Sequence, residues 1–194
     1  WEYGGLLETV AKRPSLATTF GSETHGLKEA AQFFVAENEV EMSEVLDANQ
    51  VRYLFLDKMT GDLPMYAGLV GSQKEFFIEK KDVKNGTSIR YPTAEAFTLI
   101  SSRLFYADGT ERKVGSFTFP PVEGVRLIYE SASLANVVGF PWEIKKYKVF
   151  EVQNGASLVI FGVPGESATF SQNVLTNQNR QFEYRVQKTF DEGG

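Results

Sequence analysis

Apolar residues recur at spacings of three and four from Leu27 through Ala30, Ala31, Phe34 and Val35, which is the period of one helix face, and Thr24 just before them suits a cap. A second helix follows. Asn38 precedes an acidic first turn, Glu39 and Glu41, that matches the positive end of a helix dipole, and Met42, Val45 and Leu46 supply its inner face. Val51 to Asp57 is β-branched and aromatic with apolar residues on both alternating faces, the pattern of a core strand covered on both sides. Glu79 to Gly86 is charged and ends in a turn dipeptide, so it reads as an exposed loop. Pro92 then fits the first position of one helix running through Ala94, Phe97, Ile100 and Leu104, which Asp108-Gly109 stops.

From about Val125 the pattern changes to short strands separated by turn signals. Tyr147 to Val152 and Ser157 to Val163 flank Asn154-Gly155, a strong hairpin signal, and Pro164-Gly165 closes the second segment. Ala168 to Leu175 and Gln181 to Lys188 make another pair around Asn177-Gln178-Asn179. The pattern predicts an α+β chain in which a mixed helix and strand core, residues 1–124, is followed by an antiparallel β-rich part, residues 125–194, with a barrel-like or sandwich-like form.

Composition narrows the chemistry. The 194 residues are 42% hydrophobic, enough apolar material for a proper core, so disorder is not expected. A net charge of -5 with both signs dispersed gives no basic stripe for phosphates, and nucleic acid is not expected as a partner. The absence of cysteine removes disulfides, thiolate nucleophiles and sulfur-ligated zinc, and the single histidine, His25, has no partner motif for a triad or a two-histidine metal site. The acidic run Glu37, Glu39, Glu41, Glu44 and Asp47 lacks the glycine-bearing spacing of a calcium loop and reads as a solvated helix face. No stretch approaches the roughly 20 apolar residues that span a bilayer, while the start at Trp1 reads as that of a fragment excised from a longer protein. The residues themselves gather no self-contained catalytic constellation and no metal set. Asn85-Gly86-Thr87 is an N-glycosylation sequon.

The opening Trp1-Glu2-Tyr3-Gly4 is similar to the tail of the WWDYG signature of oligosaccharyltransferase catalytic subunits, with Glu2 in the place of the aspartate. Arg13-Pro14, the two-helix interval, the strand Val51 to Asp57, Ser102-Arg103-Leu104 with Asp108-Gly109, and Val122 to Ser131 follow in the order found in archaeal members. Lys148-Val149-Phe150-Glu151, Gly155-Ala156, Pro164-Gly165 and Thr176 to Tyr184 resemble the tail of that domain, so the likeness covers nearly the whole chain. Phe97 to Leu104 can be laid on the family pattern MxxIxxx(I/V/W), with Phe97 in the methionine place, Ile100 identical and Leu104 as the final apolar residue.

That resemblance implies the globular C-terminal domain of a membrane enzyme that transfers a lipid-linked oligosaccharide to asparagine in Asn-x-Ser/Thr acceptors. It places the domain on the extracytoplasmic face of the cell membrane, as a monomer, with no catalytic or metal-binding residue of its own. A divalent metal, Mg or Mn, and the dolichol-linked donor belong to the membrane part. The acceptor polypeptide is the partner of this domain. Trp1 and Glu2 are expected to hold the hydroxyl of the third sequon residue, and Phe97, Ile100 and Leu104 to meet its methyl. The alternative reading is a noncatalytic carbohydrate- or protein-binding β module of a cell-envelope protein, supported by the aromatic β tail.

Overall fold

The computed structural model describes residues 3–17, 26–57, 59–81, 88–137, 139–153 and 159–190. Trp1, Glu2, Thr24, His25, the Asn85 sequon and Asn154-Gly155 lie outside them. The chain forms two compact units: residues 1–52 with 58–102, and residues 53–57 with 103–194. Both mix helices with small antiparallel sheets, as the α+β expectation holds, and no sheet of the described residues closes into a barrel.

The first unit is mainly helical, with α1 (Gly4–Thr9), α2 (Leu27–Val35), α3 (Glu39–Ala48), α4 (Met59–Val70), α5 (Ala94–Thr98) and the hairpin of β2 (Phe77–Lys81) and β3 (Ser88–Pro92). The N-cap of α2 is Gly26 at φ +75°, a left-handed backbone where a Cβ would run into the Leu16 carbonyl. Asn38 caps α3 as its sequence position predicts. Its side chain accepts the Glu41 amide at 3.0 Å, while the Glu41 carboxylate reaches back to the Glu37 amide at 2.9 Å, a capping-box arrangement built one residue out of the usual frame. The core of this unit is apolar: Ala31, Phe33, Met42, Leu46, Leu63, Tyr66 and Leu99 are buried, and the Phe34 and Tyr66 rings stack at 4.5 Å.

Three expectations need correction here. Pro92 ends β3 and starts no helix; Thr93 is the N-cap of α5, with its hydroxyl accepting the Ala96 amide. The single helix through Leu104 is two, because Leu99 is extended (φ -59°, ψ 140°) and the Ile100 amide bonds the Ala36 carbonyl at 2.8 Å instead of a carbonyl four residues back. The charged segment from Glu79 is partly strand, since Glu79 to Lys81 pair with β3.

The helix α6 (Ile100–Ala107) carries the chain into the second unit from Arg103 onward. That unit holds a three-stranded antiparallel sheet with β7 (Tyr147–Val152) between β1 (Tyr53–Asp57) and β6 (Val125–Glu130), and two hairpins, β4 (Arg112–Val114) with β5 (Phe117–Phe119) and β8 (Ser167–Leu175) with β9 (Gln181–Thr189). β1 is an edge strand among the described residues: Leu54 and Leu56 are buried on one face, while on the other Tyr53 is exposed and Phe55 and Asp57 are half-buried, so the enclosure its composition implied is complete on one face and partial on the other. The Ala168 to Lys188 hairpin is present with Thr176 to Arg180 as its turn. Among the described residues the other expected hairpin is not seen: β7 pairs with β1 and β6, Val159 to Val163 is not strand, and residues 154–158 lie outside the described residues.

Candidate functional site

Phe97 sits half-buried on α5, two residues before the Leu99 break. Ile100 and Leu104 lie one turn apart on α6 and are fully buried. The break removes the spacing of three that would have put Phe97 on the same helix face as the other two. Tyr3, the first described residue, is the N-cap of α1, whose first residues Gly4 and Gly5 are buried.

A set of residues with no local motif is gathered inside the second unit. Asp108 takes φ +60° at the end of α6, and Gly109 follows at φ +72° with its amide bonded to the Arg103 carbonyl, a left-handed helix stop with aspartate in the usual glycine place. That turn aims the Asp108 carboxylate inward. One oxygen accepts Lys148 Nζ at 2.5 Å, and the other accepts Arg112 and Arg180, each at 2.8 Å. Arg180 also forks onto the buried Glu130 carboxylate, through Nε at 3.0 and 3.1 Å and through Nη2. Thr176 donates its hydroxyl to the same carboxylate at 2.6 Å. The side-chain amide of Asn177 completes the join: its oxygen accepts the Glu130 amide at 2.8 Å and its nitrogen donates to the Glu130 carbonyl at 3.0 Å, as a strand would.

The electrostatics follow from burial. Desolvation alone would raise the Asp108 carboxyl, but Lys148, Arg180 and Arg112 together hold it below its ordinary value. Burial lowers Lys148, and Asp108 only partly offsets this. Arg112, stacked over the Trp142 ring at 5.0 Å, is also lowered by burial, whereas the bonds to Glu130 and Asp108 raise Arg180 against its own desolvation. Burial pushes up the Tyr106 hydroxyl as well. Every charge in this set has a partner, so Asp108 and Glu130 are engaged as acceptors and neither carboxylate is open to act as a base. The cluster joins the end of α6, β6, β7 and the β8–β9 turn. Its residues were legible only in part. Lys148 shares a strand face with Phe150, which places a cation in phase with the core. The register of β6 shifts between Leu127 and Tyr129, so Glu130 is buried three residues after Leu127, where alternation puts it outside.

Among the described residues, no three His, Asp or Glu side chains gather as a metal ion would need. No described helix is long and apolar enough to cross a membrane.

No family model and no curated protein matches the sequence. Solved structures do match the fold. The oligosaccharyltransferase of Archaeoglobus fulgidus in complex with zinc and sulfate aligns with a TM-score of 0.71 and 19% identity, covering 100% of this chain and 34% of that one. AglB from the same organism, with an inhibitory peptide and a dolichol-phosphate, aligns at a TM-score of 0.64 and 19% identity, over 100% of this chain and 31% of that chain. The enzyme tethered to an acceptor peptide containing the NVT sequon gives 0.64 and 18%, over 100% and 32%. The chain thus spans about a third of the length of the structures it matches, and over that third it has the fold of the archaeal oligosaccharyltransferase AglB.

Proposed function

We propose that this chain is the acceptor-recognition domain of an archaeal oligosaccharyltransferase, inactive alone, carried on the extracytoplasmic face of the membrane by a remainder that performs N-glycosylation. The observation that carries the reading is the alignment of the whole chain with AglB at a TM-score of 0.71, joined to a Trp1-Glu2-Tyr3-Gly4 opening that resembles the WWDYG signature. Two of the matched structures hold peptides, one with a sequon, which supports a polypeptide as partner. The dolichol-phosphate of the matched AglB structure supports a lipid-linked oligosaccharide as donor. Among the described residues no three acidic or histidine side chains gather to hold a divalent metal, and in this reading the metal, Mg or Mn, belongs to the membrane part of the parent.

In this reading the Trp1 indole donates to the hydroxyl of the third sequon residue and the Glu2 carboxylate accepts from it. Each bond contributes modestly, about 0.5–1.5 kcal/mol for a neutral pair and about 1.5–3 kcal/mol for one to a charge. Selectivity comes from the alternative: a residue without the hydroxyl leaves both groups unpartnered. Phe97, half-buried, offers apolar surface to the threonine methyl, and the enclosed Ile100 and Leu104 fix α6 from within. One methyl contact is worth about 0.8 kcal/mol, a several-fold preference for threonine over serine.

Glycosylation kinetics of the complete enzyme test the reading. Trp1→Ala is expected to raise the acceptor KM or abolish transfer, and unchanged kinetics would remove Trp1 from the site. The 194-residue chain alone should transfer no glycan to a sequon peptide; measurable turnover would show that it carries the chemistry itself.

A further inference from the structure

The β8–β9 hairpin adds little to the apolar core of its unit. Of the nine residues in each of its strands only Val186 is buried, whereas the shorter β6 and β7 bury two residues each. Its stem closes on itself, with the Phe190 amide donating to the Glu166 carbonyl and the Gly165 amide to the Phe190 carbonyl. Among the described residues, polar groups make most of the joints to the rest of the unit. The Thr110 hydroxyl donates to the Glu183 carbonyl at 2.9 Å and accepts the Arg185 amide at 3.0 Å, and the Tyr184 hydroxyl donates to the Val122 carbonyl at 3.0 Å. Lys188 pairs with Glu123 in an exposed position, and the Phe182 ring meets the Arg112 and Arg180 guanidinium groups.

The turn makes a joint of a different kind. Both hydrogen-bonding donors to the fully buried Glu130 carboxylate, Thr176 and Arg180, come from the turn, and Asn177 between them takes the amide and the carbonyl of the same residue. The Asn177 side chain thus stands at the edge of β6 away from β7, where the peptide group of a further strand would lie. Removing the turn strips Glu130 of all these bonds, and a buried carboxylate without donors is untenable unless water replaces them. Asp108 is different: it keeps Lys148 and Arg112 when Arg180 leaves. The loss therefore falls on one residue, and the rest of the ion cluster stays paired.

We propose that the β8–β9 hairpin is a latched flap, with its turn on Glu130 as the catch, which leaves the second unit in one cooperative step while α6 and the β1–β7–β6 sheet stay folded. A lone two-stranded hairpin is marginal in water, so its own pairing melts in the same step. Opening turns Glu130 from a buried anchor into a solvated anion and uncovers the outer edge of β6. The device lies wholly within the second unit and does not draw on the acceptor-binding reading.

Amide hydrogen exchange of the 194-residue chain, taken relative to the intrinsic rate of each amide, tests the proposal. The Glu130 and Arg185 amides, whose acceptors lie across the joint, report on it directly. They should share one protection factor with the amides paired between β8 and β9, at least about tenfold below that of the amides paired between β1 and β7. Leu56→Val weakens β1, which is folded in both the closed and the open flap, so it should lower protection between β1 and β7 several-fold and leave the hairpin factor where it was. Asn177→Ala at the catch and Thr110→Val at the other joint should each lower protection by one ratio, several-fold to about tenfold, at every hairpin amide from turn to stem. The wild-type pattern needs no variant to fold. Hairpin amides as protected as those of β1, a hairpin factor that falls along with β1 in Leu56→Val, a Glu130 amide that exchanges apart from the hairpin, or an effect of Asn177→Ala confined to the turn would each overturn the proposal.

Discussion

The two units reach stability by opposite means. The first closes around apolar side chains, Phe33, Met42, Leu46 and Leu63, with its polar contacts at helix ends. The second also has an apolar core around Phe105, Phe119 and Phe150, but buries the charges of Asp108, Glu130 and Lys148 within it. Burying charge is costly and is repaid only when each group is fully partnered, so the second unit gains directional joints between elements at the expense of tolerance. An apolar core degrades by degrees; a charged one fails when any partner is lost.

That contrast can be broken most sharply at its hub. Asp108→Ala leaves Lys148, Arg112 and Arg180 facing one another and is expected to cost about 3–5 kcal/mol, read as a lower urea midpoint and as lost amide protection in β6 and β7. Met42→Ala in the first unit should cost about 2–5 kcal/mol through its cavity, with the loss of protection confined to α2, α3 and α4. Acid sharpens the comparison further. Because Asp108 is held below its usual value, its contribution is complete above the unfolded aspartate value of about 3.9 and fades as pH falls through the folded one. The protection of amides in the second unit, relative to their intrinsic exchange rate at each pH, should therefore fall as the pH is lowered, in a way that Asp108→Asn removes. Asn38→Ala deletes the α3 cap and should cost about 1 kcal/mol, seen as a lower melting temperature. The smallest effect belongs to Ser102, whose hydroxyl is buried without a partner; Ser102→Ala should leave stability within about 1 kcal/mol or raise it.

Local rules were readable where neighbours in sequence decide the structure. The Asn38 cap with its acidic turn, and the alternation that makes β8 and β9, depend on contacts within a few residues or across one short turn. The Leu99 break could not be read, because Leu99 carries no stop signal and the competing acceptor is the distant Ala36 carbonyl. Nor could α4, whose apolar residues follow no helical face and which contains Asp62 and Pro64, so it offers neither an amphipathic period nor an unbroken run. Of the residues proposed to bind the acceptor, Ile100 and Leu104 carry a pattern that a core helix shares, and Trp1 and Glu2 are outside the described residues. The ion cluster draws its members from residues 108 to 180, and only the β6 bulge and the fold bring them together.

Asp108 meets two demands that rarely coincide in one side chain. Its backbone must turn left-handed to end α6, and its carboxylate must receive three cations. Glycine satisfies the turn and abandons the cations, glutamate keeps the charge on a backbone it disfavours, and asparagine keeps the shape while giving up the charge. No single replacement preserves both, so drift at this position is closed off unless Lys148, Arg112 or Arg180 changes with it.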